Sequence, residues 1–184
     1  MRTGASSPDE DLPTSGHVVA ELRRALQDPE HGSTRPLVGR LVDLLRSNLE
    51  QWNLEDEARG READNAAVAE AKRAIDELNK ARHHIVEEID AAIDRAVKQT
   101  AAAPLATESP AMAFDRLSVL VIRIHHTERA AGEEASETDL YAARLPVLHR
   151  QLADLQKAID GLIEDVRGGT RRFVPYRSLK LYGQ

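Results

Sequence analysis

The chain has 184 residues, of which 41% are apolar, 30% charged and only 3% aromatic, and its formal net charge is −6. That length can supply one sizeable core, and the shortage of aromatic residues favours helices over strands. The net negative charge argues against general affinity for phosphate backbones, and the absence of cysteine excludes disulfides, thiolate metal sites and a cysteine nucleophile.

No apolar run approaches the roughly 20 residues needed to span a bilayer, and the opening "MRTGASSPDEDLPTSG" has no apolar core for a secretion signal. The expectation is a cytoplasmic protein that partners neither nucleic acid nor membrane. Residues 1–15, rich in Ser, Pro, Gly and acid, bury too little apolar surface to offset ordering entropy and read as a disordered tail. A short helix over "GHVVAELRRALQD" stops near "PEHGSTRP", and Pro36 then opens a second helix that runs to about Arg59.

The third helix, from about Asp64 to Gln99, carries Val68, Ala71, Ile75, Leu78, Ile85, Ile89 and Ala92 in one seam, with Arg82 where an apolar residue is due. Ser109 caps a fourth helix from about Pro110 to Ala131, and its stretch "LSVLVIRI", apolar nearly all round, marks it as the central helix. "GEEASETD" is a polar loop. The last helix carries Leu145, Leu148, Leu152, Leu155, Ile159, Leu162 and Val166 in a seam that ends at Gly168-Gly169, with Pro146 at its start or at a kink. The expected fold is all-α: an antiparallel bundle of four long helices plus the short N-terminal helix over residues 16–168. Residues 169–184 are basic and read as an irregular strap packed back on the bundle.

Polar residues interrupt these seams. Asn48, Trp52, Glu55 and Arg59 continue the stripe that Leu41 and Leu45 begin on helix two. Arg82 lies in the seam of helix three beside Lys72, Asp76, Asn79 and His83, while helix four opens with Asp115-Arg116 and ends with His125-His126. Buried charges are costly unless paired, so such a set implies either a structural ion-pair network or a pocket with a guest. In the first case Glu55, Asp76 and Asp115 neutralise Arg59, Arg82 and Arg116. A bundle that only needed stability could fill these positions with apolar residues at little loss, which favours the pocket.

Paired histidines invite a metal reading for His83, His84, His125 and His126. Adjacent helical residues point about 100° apart, so only His126 of its pair shares a face with Asp115, Val119 and Ile122. The Glu-x-x-His pattern of bundle di-metal sites does not recur on two helices, so the expectation is no metal site. Phosphate-loop, serine-hydrolase and zinc-protease signatures are also missing, and the sequence leaves any cofactor unknown.

The segments "NLEQWNLEDEAR", "AKRAIDELNKARHHIVEEID", "ESPAMAFDRLSVLVIRIHHTE" and "GGTRRFVPYRSLKLY", in that order, resemble the bacterial family known as domain of unknown function 4254, over roughly residues 36–182. By position, the resemblance picks out Asn48, Trp52, Glu55, Asp56, Arg59, Lys72, Asp76, Asn79, Arg82, Asp115, Arg116, His126, Tyr176, Lys180 and Tyr182. The chain departs from the family pattern at His83-His84, where that pattern has Asn-Asp, at His125, where it has Tyr, and at Asn53, where it has His. Membership in such a family implies a fold and a site location but no reaction.

The leading expectation is a small enzyme of a biosynthetic pathway acting on a polar, anionic small molecule. Glu55 and His126 are its candidates for proton transfer, with Asp115 orienting the histidine. Arg59, Arg82 and Arg116 would hold carboxylate or phosphate groups and Trp52 would form an apolar wall, with Asn48, Lys72, Asp76, Asn79, Tyr176 and Lys180 as further substrate contacts. The alternatives are a non-catalytic interaction or scaffold protein and a metal-dependent bundle enzyme. The substrate and the oligomeric state, including a homo-oligomer, stay open.

Overall fold

The computed structural model of the protein describes residues 12–60, 65–132 and 138–179, with side chains described at all of these except 58–60, 65–69 and 138. Five helices make up the fold: α1 (Ser15–Gln27), α2 (Pro36–Gly60), α3 (Asn65–Ala96), α4 (Pro110–Gly132) and α5 (Thr138–Arg167). The fold is all-α, and no helix among the described residues is long and apolar enough to cross a membrane. The expected tail falls outside the described residues only up to position 11, because residues 12–15 belong to the bundle. Leu12 is buried, Thr14 caps α1 by accepting from the His17 N–H, and Ser15 donates its N–H to Asp160 Oδ1 at 2.7 Å and its hydroxyl to Asp160 Oδ2 at 2.8 Å. Composition marked these polar residues as tail, whereas their hydrogen-bonding chemistry makes them a helix start.

Helix α4 is central and packs on all four others, α2 packs on α3, and α4 packs most extensively on α5. Cross-links at Gln51–Asn79 and Arg40–Glu88 show that α2 and α3 run antiparallel. Apolar burial is uneven along the bundle. It gathers where the first half of α2 (Val38, Leu41, Leu45) meets the second half of α3 (Val86, Ile89, Ile93), the start of α4 and the later turns of α5. At the other end, where α2 finishes and α5 begins, the backbones of these two helices stand apart and leave a groove floored by α4.

Just above that groove, a polar clasp joins three helices. Asp115 of α4 is buried; its Oδ1 accepts from Asn48 Nδ2 of α2 at 2.8 Å and its Oδ2 from Arg82 Nη1 of α3 at 2.8 Å. Asn48 also donates to Ser118 Oγ at 2.7 Å, and that hydroxyl donates to the Asp115 carbonyl at 2.8 Å. A charge taken out of water needs donors on every side, so the clasp admits little freedom in how the three helices are aligned.

Asp90 of α3 forms a second junction that sequence periodicity did not single out. Fully buried, it accepts the Ala111 N–H at 2.9 Å and the Tyr176 N–H at 2.8 Å, which ties the first turn of α4 and the chain after α5 to one carboxylate. Burial raises its pKa above the ordinary value of 3.8, against the opposing pull of Ser109 and these two amides. The same terminal segment donates Phe173 N–H to Gln99 Oε1 and Ser178 N–H to Glu87 Oε1, and buries the Phe173 ring. It is therefore anchored largely by acidic and amide side chains gripping its backbone, with Arg172 adding a bond from Nε to the Ala103 carbonyl at 3.1 Å. Gly169 turns the chain into this segment at φ 69°, with the paired Thr170-to-Asp165 and Gly169-to-Val166 bonds of a Schellman cap. A Cβ at that glycine would meet Thr100 Oγ1 at 2.7 Å.

Removing one partner of a buried ion pair costs about 3–5 kcal/mol, and with Arg82 24% exposed the expected loss for Asp115→Leu or Arg82→Met is about 2–4 kcal/mol. The double variant should lose less than the sum of the two, as urea melts will show; strict additivity would mean the pair is not coupled. For Asp90→Ala, two amides are orphaned and a destabilisation of about 2–4 kcal/mol is expected in the same measurement, with a change under about 0.5 kcal/mol refuting the junction.

Candidate functional site

The groove has a cavity volume of about 680 Å³, and three helical stripes line it. Helix α2 contributes Trp52 and Asp56, one turn apart. Helix α4 supplies Arg123, His126, Thr127 and Ala130, while Leu140, Arg144, Val147, Leu148 and Gln151 come from α5. Each set repeats at the three- and four-residue spacing that places side chains on one helical face.

Trp52 and His126 stack across the α2–α4 contact, with ring centroids 5.3 Å apart and planes 5° from parallel. Trp52 Nε1 and His126 Nε2 are both buried without a hydrogen-bond partner in the protein. Such orphaned groups are uncommon because each forfeits the hydrogen bond it would make in water. Desolvation lowers the His126 pKa below 6.5, helped by His125 and then Arg129 and opposed by Asp56. The imidazole is accordingly neutral at pH 7, able to accept a proton, with a carboxylate near enough to favour the charged form once the proton arrives.

The residues expected from the sequence to form one site fall into several places. Trp52 and His126 line the groove, whereas Asn48, Arg82 and Asp115 are joined in the clasp. Asp115 does not orient His126, since it lies eleven residues earlier on the same helix, about 16 Å by helical rise. Glu55 is exposed and does not line the groove; the neighbouring Asp56 does. Arg116 is exposed and bonds to Glu108 at 2.6 Å, so it holds no part of the groove. Lys72 and Asp76 lie on the exposed face of α3, and Asn79 accepts from Gln51 Nε2 at 3.1 Å. Tyr176 Oη pairs with His83 Nδ1 at 2.8 Å, and their rings stack. The Arg59 side chain, Lys180 and Tyr182 fall outside the described residues.

Among the histidines, His125 turns away from the groove towards Arg23 and Leu26 of α1, meeting His126 edge-on at 5.6 Å. His84 is exposed and pairs with Glu88. Among the described residues, no group of three or more His, Asp or Glu side chains is disposed to hold a metal ion.

Sequence reasoning missed Arg123 and Arg144, and it named Asp56 without giving it a role. Their signal was present as the spacings Trp52–Asp56, Arg123–His126–Thr127 and Leu140–Arg144–Val147. It was masked because "LSVLVIRI" reads as apolar on all sides and because the Leu seam of α5 draws attention to the adjoining face.

The sequence signature of the family described as Protein of unknown function (DUF4254) matches residues 40–174. No curated protein and no solved structure matches the chain. The matched span takes in Asn48, Arg82 and Asp115 of the clasp, Trp52, Asp56 and His126 of the groove, and the first residues of the terminal segment. It covers well over half of the sequence, and on that ground the chain belongs to the DUF4254 family.

Proposed function

We propose that the protein is an enzyme whose active site is the groove between α2 and α5, where His126 exchanges a proton with a small anionic substrate. The observation that carries this reading is the pair of stacked rings whose ring nitrogens lie buried and unpartnered beside a cavity of about 680 Å³. A neutral imidazole is the right starting state for a general base, and Asp56 stabilises the imidazolium that forms. Arg123 and Arg144 have no carboxylate partner among the described residues and are placed to bind an oxyanion, Arg144 already lying 5.4 Å from the Tyr141 ring centroid. The clasp stays out of the chemistry and holds α2 and α4 in the alignment that stacks Trp52 on His126.

Trp52 is the only tryptophan, so its fluorescence reports directly on the groove. A screen of anionic metabolites by fluorescence and melting temperature should return binders. For a binder that is turned over, His126→Gln should lower kcat by about 10²–10⁴-fold, the usual contribution of a positioned acid or base, while binding changes only a few-fold. Full turnover in that variant would remove His126 from the mechanism.

The pH dependence follows from the direction of the shift. Because the pKa is depressed below 6.5, the basic form is already in the majority at that pH, so kcat/KM should rise with pH with a midpoint below 6.5. Asp56→Asn removes the one named influence that raises the His126 pKa, and should move the ascending limb to still lower pH. An unchanged limb would separate Asp56 from the histidine.

A further inference from the structure

We infer that the guest of this groove is an amphipathic anion: an apolar body carrying a single oxyanion head, carboxylate or phosphate. This rests on the groove being a ligand site and adds the class of molecule it takes. Two independent features of the lining define that class.

The first is apolar. Leu140 and Val147 on α5 are 51% and 50% exposed, two of the five large apolar side chains exposed to that degree among the described residues. They stand two helical turns apart on the same wall, with Leu148 partly buried beside them and Ala130 facing them from α4. A uniformly polar guest, such as a sugar or a free inorganic anion, would leave this wall in water. An apolar body removes it from water at a gain proportional to the area covered.

The second is charge. In a chain with six more acidic than basic residues, the groove runs the other way: Arg123 and Arg144 face it against Asp56 alone, with His126 neutral. Guanidinium groups outnumber carboxylates on this lining, which suits an anionic head. The arginines come from α4 and α5, while Trp52 adds a flat apolar surface from α2. A neutral apolar guest would bring nothing to the guanidinium groups, and a cation would be repelled by them. The volume falls within the roughly 300–1,000 Å³ of small-molecule sites, so a free amphiphile fits without a protein partner.

The test is a titration of the intact chain, read by Trp52 fluorescence, with butanoate, hexanoate, octanoate, octyl phosphate, octanol and octylamine. Each added methylene in the carboxylate series should tighten binding about two- to fourfold until the groove is filled. Octyl phosphate should bind comparably to octanoate, and octanol and octylamine at least about tenfold more weakly. Arg123→Gln and Arg144→Gln should each weaken octanoate about tenfold while leaving octanol unchanged, and Leu140→Ser with Val147→Ser should flatten the chain-length series. Thermal melts of the same variants confirm that they remain folded, since all four positions are surface-exposed.

Equal affinity for butanoate and octanoate, or for octanoate and octylamine, would overturn the inference. So would association with phosphatidylglycerol vesicles in the absence of any response to monomeric octanoate, which would assign the groove to a membrane surface. The two readings fail separately. Short anions that bind with proton uptake at His126 but without chain-length dependence would refute the amphiphile and leave the acid–base role standing. A clean chain-length series that is unaltered by His126→Gln and accompanied by no turnover would do the reverse.

Discussion

A carboxylate taken out of water has to be met by donors, and Asp115 is met from two helices other than its own. Asn48 reaches it from α2 and Arg82 from α3, each at 2.8 Å. Because α2 is tied to one oxygen of this carboxylate and α3 to the other, neither can slide along α4 by a turn without breaking the set. Everything below that level inherits the alignment. Trp52 follows Asn48 by one turn on α2, and the shared register brings its ring over His126. The polar stripe on helix two thus has two uses in succession, first as a structural fastening and then as one wall of an open groove.

The fold was legible in the sequence because its signals are redundant. Pro36 and Pro110 open α2 and α4, Ser109 caps α4, glycines close α5, and the Leu/Ile seams repeat at helical spacing over many turns. The candidate site was legible only in part. Periodicity flagged Asn48, Trp52, Arg82, Asp115 and His126 as polar groups on apolar stripes, yet could not say which of them meet. That depends on the vertical register between helices, which is a tertiary quantity: Asp115 pairs level with Asn48, whereas His126 sits about three turns further along α4. Asp90 escaped notice for a related reason. It lies one residue after the buried Ile89, and its partners are backbone amides of Ala111 and Tyr176, which leave no trace in residue identity.

The groove owes its existence to unequal packing. Helix α5 is buried along its later turns through Leu152, Ile159, Ile163 and Val166, but its first turns carry exposed Leu140 and Val147 and stand apart from the backbone of α2. A four-helix bundle normally closes such a corner with apolar contacts between neighbouring helices. Here the corner is left to an indole, an imidazole and two guanidinium groups. Function on this fold would then be set by groups at the rim of the bundle, with the interior left to stability, and variation along α5 would alter specificity without disturbing the clasp.

The Asp90 junction also has a consequence for how the chain reaches its final form. Tyr176 follows Asp90 by 86 residues, so during synthesis it emerges roughly 4–17 s later at ordinary elongation rates. Throughout that interval the nascent chain presents an acid whose last partner has yet to be made, and the first turn of α4 lacks its completed support. Final consolidation of the bundle is therefore deferred until the segment around Tyr176 has emerged to complete the junction.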